Sequence, residues 1–108
     1  MIRTVNNARA WTHHHRLRFS ARLSRGAAAW AHHLMRRQIL AHASHQQGEI
    51  IEWHTGGTAM IGRTVNEWLN SPGHRQVMMG GYRSAGAGKA VGMFGGRRCT
   101  IWVVRFAY

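Results

Sequence analysis

Val65-Asn66-Glu67-Trp68-Leu69-Asn70-Ser71-Pro72-Gly73-His74-Arg75-Gln76-Val77-Met78-Met79 reads as an amphipathic helix, a hard stop, and a histidine set just past that stop. Ile61, Val65, Trp68 and Leu69 form the buried stripe of the helix, with Thr58 as its candidate cap. Ser71-Pro72-Gly73 ends it, because proline lacks a backbone donor and drives the preceding residue out of α conformation. Gln76 to Met79 can add one further turn. A stiff corner aims the side chain that follows it, which makes His74 a candidate for chemistry.

The segments upstream are also helical in pattern. Ile2, Val5, Ala8 and Trp11 recur every third residue and predict a short first helix with these four on its inner face. His13-His14-His15-Arg16 follows as a polar connector. Ser20 is a good N-cap for a second helix from about Ala21 to about Ala41, with Leu23, Ala27, Trp30 and Leu34 on one face. Gly26 weakens that helix locally or permits close packing. Around Ile50 a short helix or turn is possible, and the pattern does not decide it.

Downstream of Tyr82 the period changes. Ser84 to Phe94 reads as a Gly-rich strand, Gly95-Gly96-Arg97-Arg98 as a turn, and Cys99 to Phe106 as a closing strand, together an antiparallel hairpin. Gly86, Gly88 and Gly92 share one parity, so a helix can pack closely on that strand face. Helices first and a hairpin last predict an α+β layered domain spanning residues 1–108.

Composition narrows the function. With 108 residues, 44% of them hydrophobic, the chain suits one small domain with a core. No run approaches the roughly 20 apolar residues of a membrane span. Met1 to Asn6 lacks the apolar centre of a signal peptide, so the protein is expected to stay inside or to have its export signal outside this chain. One cysteine, Cys99, excludes an internal disulfide and is expected to be inert. Fifteen Lys+Arg against three acids give +12, which predicts affinity for anionic envelope polymers or acidic lipid heads. Nucleic acid is disfavoured, because the basic residues are scattered and match no known module. With so few acids, each has a better than usual chance of a specific task.

The candidates for chemistry are His42, Glu49 and His74, with Glu67 and His45 in reserve. Two histidines can hold a divalent metal whose other positions are water, and a nearby carboxylate can orient or deprotonate that water. The same set can do metal-free acid–base work. Spacing alone does not bring these residues together, and polar contacts that close loops are the plainer reading. Glu52 reads as a surface residue near the rim. Trp30, Trp68 and Trp102 read as core, and Met78-Met79 as packing under the corner.

An ordered set of motifs resembles the CAP superfamily, the SCP-like domain of cysteine-rich secretory, venom-allergen and plant pathogenesis-related proteins, in its small bacterial form. The set comprises Val5-Asn6-Asn7-Ala8-Arg9, Leu17-Arg18-Phe19-Ser20, His42-Ala43-Ser44, Gly48-Glu49-Ile50-Ile51, Trp68 through Arg75, and Gly86-Ala87-Gly88 with Trp102 to Phe106. The Trp-led Ser-Pro-Gly-His-Arg is the specific one. The resemblance implies a three-layer α–β–α sandwich with a small antiparallel sheet and an extracellular or cell-envelope location. It also implies a cleft holding His42, Glu49 and His74, with zinc or another divalent metal on the two histidines.

Ser71 stands where many relatives have a second acid, and Ile50 where they have asparagine. Glu67, one turn before Ser71, is the candidate substitute. The short connector from His42 to Glu49 predicts an open cleft. A serine at the acid position favours a binding module of unknown ligand over a hydrolase that would use Glu49 or Glu67. Lipid binding through the basic surface is a third possibility.

Overall fold

The computed structural model describes residues 1–43, 48–56 and 60–108. His45 and Thr58 lie outside them. The element order is α1 (Ile2–Trp11), β1 (Arg18–Phe19), α2 (Ala21–Arg37), β2 (Gly48–Thr55), α3 (Ile61–Leu69), α4 (Pro72–Met78), β3 (Ser84–Phe94) and β4 (Arg97–Ala107). The four strands form one sheet in the order β1-β3-β4-β2. β1 runs parallel to β3, and β2 and β3 both pair antiparallel with β4. Helix α2 covers one face of the sheet, and α1, α3 and α4 cover the other, making an α–β–α sandwich.

Strand β4 explains itself in sequence. Thr100-Ile101-Trp102-Val103-Val104 are all buried, because both faces of this central strand are covered. Val104 and Phe106 join Val5 and Trp68 in one core, while Ile101 and Val103 meet Ala27, Ala31 and Leu34 of α2 in the other. Gly95 and Gly96, with φ of +60° and +80°, form a two-residue turn between Phe94 and Arg97. Arg97 and Arg98 therefore belong to β4, not to the turn.

The glycine face of β3 takes α2 at close range. A Cβ on Gly86 would stand 2.2 Å from the Ser24 backbone N, and one on Gly88 2.2 Å from the Ala28 backbone N. Four helical residues rise about 6 Å and two strand residues about 6.7 Å, so Ser24 and Ala28 keep step with Gly86 and Gly88. Ser20 caps α2 through its hydroxyl, which accepts from Leu23 N–H at 3.1 Å.

The structure departs from the sequence expectations in further places. Helix α2 stops at Arg37, because Gln38 turns left-handed and ties its side chain to the Met93 carbonyl and Gly95 N–H at the hairpin. Residues 48–55 form strand β2, and Ile50 pairs with Val104 instead of turning. β1 is a short parallel strand, held next to α1 by a two-way bond between the Asn6 amide and the Leu17 backbone.

On α1 the inner face is Ile2, Val5 and Arg9, while Trp11 is exposed. Arg9 goes inside because three carbonyls await it: Nε donates to His15 O, and Nη1 to Met78 O at 2.9 Å and Gly80 O at 2.7 Å. Trp68 and Trp102 lie in the core; Trp30 is half-buried, its indole N–H donating to the Ala41 carbonyl.

Gly88→Ala tests the close approach. The added methyl has backbone on the far side and must push α2 away. The thermal unfolding midpoint should fall by the equivalent of about 1–3 kcal/mol, whereas Gly62→Ala, with open space at its Cβ, should not lower it.

Candidate functional site

The site sits at β2, an outer strand of the sheet, and begins with a buried carboxylate. Glu49 and Arg105 are direct cross-strand partners on the α2 side. Arg105 Nε donates to Glu49 Oε2 at 2.9 Å, with the Glu49 side chain fully excluded from solvent. The other oxygen, Oε1, accepts from Ala43 N–H at 3.0 Å and from His42 Nδ1 at 2.9 Å. Room for the arginine comes from Gly26: a Cβ there would stand 2.8 Å from Arg105 Nη1.

The carboxylate thus receives three donors and fixes the coil at residues 41–43. Because a carboxylate only accepts, His42 carries its proton on Nδ1, and Nε2 is the ring nitrogen left over. The His42 side chain is 59% exposed.

His74 is anchored in the same manner. Pro72 occupies the first position of α4, where its missing N–H costs nothing. The corner is therefore a helix start, and His74 lies in the first turn. Ser71, at the N-cap, makes no capping bond with its side chain; its hydroxyl meets His74 Nδ1 at 2.9 Å. Again Nε2 is left over. Burial lowers the His74 pKa from its ordinary value, and the nearby His42 charge lowers it further, so His74 favours the neutral ring.

Both imidazoles line one open pocket of about 240 Å³, together with Leu40, Ala41, Ile51, Glu52 and Trp53. The structure thus brings His42 and His74 together, with Glu49 behind His42 and away from solvent. Glu67 does not line this pocket. Its carboxylate binds Arg63 Nε at 3.0 Å and stands 3.8 Å from His54 Nδ1. His54 is buried and bonds Thr64 through Nε2.

Glu52 is the residue that sequence reasoning missed. It lines the histidine pocket and also pairs with Glu67. Burial, a hydrogen bond donated to Glu67 and the Glu67 charge push its carboxyl up to about 7, against an opposing pull from the Trp53 backbone N–H. On Glu67, burial acts upward but is outweighed by hydrogen bonds from Arg63 and Glu52 and by the His54 and Arg63 charges, so its pKa is lowered. Strand alternation was the available signal: Ile50, Glu52 and His54 share the face that meets α3, but only once residues 48–55 are known to be a strand.

Two imidazoles anchored at Nδ1 over an open pocket, on an α–β–α sandwich, define a class of cleft-bearing small domains. The residue pattern of the CAP family, described as the cysteine-rich secretory protein family, matches residues 2–106. The chain belongs to that family.

Solved structures agree in fold. MpPR-1i, in a crystal soaked with selenourea, superposes with a TM-score of 0.75 at 17% identity, covering 97% of this chain and 85% of that one. An outer surface protein from Borrelia burgdorferi gives 0.69 at 16%, covering 98% and 88%. An extracellular SCP-domain protein from Bacillus anthracis gives 0.62 at 15%, covering 92% of this chain and 37% of that one. Among curated proteins no sequence matches.

The Glu52 carboxyl makes stability depend on pH with a definite sign. Its pKa rises from 4.5 unfolded to about 7 folded, so the folded state binds the extra proton between these values and loses stability as pH rises through them. Glu52→Gln removes that loss. Relative to wild type, its unfolding midpoint should be higher at about pH 8 than at about pH 4. An offset independent of pH would contradict the pairing.

Proposed function

We propose that this chain is a CAP-domain binding module whose pocket beside β2 takes a divalent cation, with zinc as the leading candidate, on His42 and His74. The supporting observation is the shared geometry of the two rings, each tethered at Nδ1 and each with Nε2 uncommitted beside the same pocket. A carboxylate or hydroxyl on the second nitrogen raises imidazole basicity and fixes its tautomer, as outer-shell partners of metal-bound histidines do.

Among the described residues, no group of three or more His, Cys, Asp and Glu side chains converges as a metal site. Two imidazoles with water in the remaining positions make a weak site that chelators empty readily. A bound cation would act as a Lewis acid toward an oxygen ligand. Glu49 acts as a positioning residue, because both of its oxygens are occupied inside the protein.

A second reading, hydrolysis in the same pocket, draws on Glu52. Its carboxyl titrates near neutrality beside His74, whose ring favours the neutral form. These are the properties of an acid and a base. We infer an extracellular or envelope location; family membership supports it, and the Bacillus anthracis protein is itself described as extracellular. No described helix is long and apolar enough to cross a membrane.

Calorimetric titration with zinc tests the main reading. Wild type should give a saturable heat that vanishes in the His42→Ala/His74→Ala double variant. Equal heats from the two proteins would overturn it.

A further inference from the structure

A second concavity, of about 700 Å³, shares no lining residue with the histidine pocket. It opens between the first turns of α1 and the segment 16–19, with sheet beneath. Its rim carries Arg3, Arg16 and Arg18, all exposed. The sequence has three acidic side chains, and each is engaged elsewhere: Glu49 with Arg105, Glu67 with Arg63, and Glu52 with Glu67. Among the described residues no salt bridge reaches Arg3, Arg16 or Arg18. Arg18 pairs with Ser84 and points to the α2 face, away from Phe19, so Arg3 and Arg16 are the two guanidinium groups that draw an anion to this concavity.

The lining between these charges is largely apolar and includes two aromatic side chains. Trp102 forms part of the lining, with the Lys89 ammonium 5.6 Å from its ring centroid. Its indole N–H is buried with no acceptor. Phe19, on the outer strand β1, is a lining residue 68% exposed, so its ring is open to a ligand in the concavity. The volume falls within the roughly 300–1,000 Å³ of small-molecule pockets. A second copy of a chain bearing +12 is repelled from such a rim.

We propose that this concavity is a binding site for a small organic anion, a carboxylate, sulfonate or phosphate joined to a flat apolar body. Arg3 and Arg16 take the anionic group by charge-assisted, forked hydrogen bonds, and Phe19, beside the largely buried Trp102, takes the body. The site stands apart from the metal reading, and neither depends on the other.

Fluorescence titration with anilinonaphthalene sulfonate, on the whole chain well below its unfolding temperature, provides the test. Wild type should bind saturably at one site. Arg3→Gln/Arg16→Gln should weaken binding by about tenfold or more, the effect of losing charge-assisted bonds. Arg22→Gln/Arg25→Gln, the same charge change on exposed residues of α2, should stay within about twofold of wild type. Equal weakening in both variants would reduce the effect to bulk charge and overturn the proposal, as would non-saturable binding to wild type. In a proton–nitrogen correlation spectrum the dye should shift the Trp102 indole signal. A shift at Trp53, beside the histidines, with Trp102 unmoved would also overturn it.

Discussion

The Glu49 carboxylate is the constraint on which the rest of the site depends. A buried carboxylate without partners costs several kcal/mol, and removing one member of such a pair costs about 3–5 kcal/mol. Here three donors come from three places: the opposite strand, the backbone of the coil after α2, and the imidazole of His42. The requirement to satisfy one buried anion therefore fixes the register of β2 against β4, the path of residues 41–43, and the orientation of a half-exposed histidine. Gly26 extends the same chain of dependence to α2, since any larger residue there would meet the Arg105 guanidinium.

The other half of the pocket rests on different chemistry. The corner at Ser71-Pro72 is held by proline at the start of α4, and the serine hydroxyl is used on His74, not on a backbone cap. At the other end of α4, buried Arg9 gathers carbonyls from the connector after α1 and from Met78 and Gly80. Ser71 thus has a positive role: it anchors His74 with an uncharged partner, while burial lowers the pKa of that ring. A carboxyl on β2, that of Glu52, also lines the histidines' cavity, pushed up to about 7 by burial and then by Glu67.

Much of this was legible in the chain. Helical periods, the glycine parity of β3 and the apolar run of β4 gave the layers, because each is a local consequence of backbone geometry. Strand β2 was not legible, since Ile50 and Ile51 stand next to each other with Glu49 and Glu52 outside them, and period alone cannot separate strand from helix in so short a run. Arg9 and Trp11 exchanged places relative to their hydropathy, because the deciding factor was a set of carbonyls some 70 residues away. For the candidate site, motif order pointed to His42, Glu49 and His74, and the structure places the two histidines on one pocket with Glu49 behind His42. Arg105 and Glu52 were not, because one acts across 56 residues and the other needs strand parity to be assigned.

The central claim is that Glu49 holds the proton of His42 on Nδ1 and leaves Nε2 bare toward the pocket. A long-range proton–nitrogen correlation spectrum of the imidazole rings at about pH 8, where an ordinary histidine is neutral, reads the tautomer directly. The account predicts the Nδ1–H form for His42 in the wild-type protein. A His42 found in the Nε2–H form would contradict it.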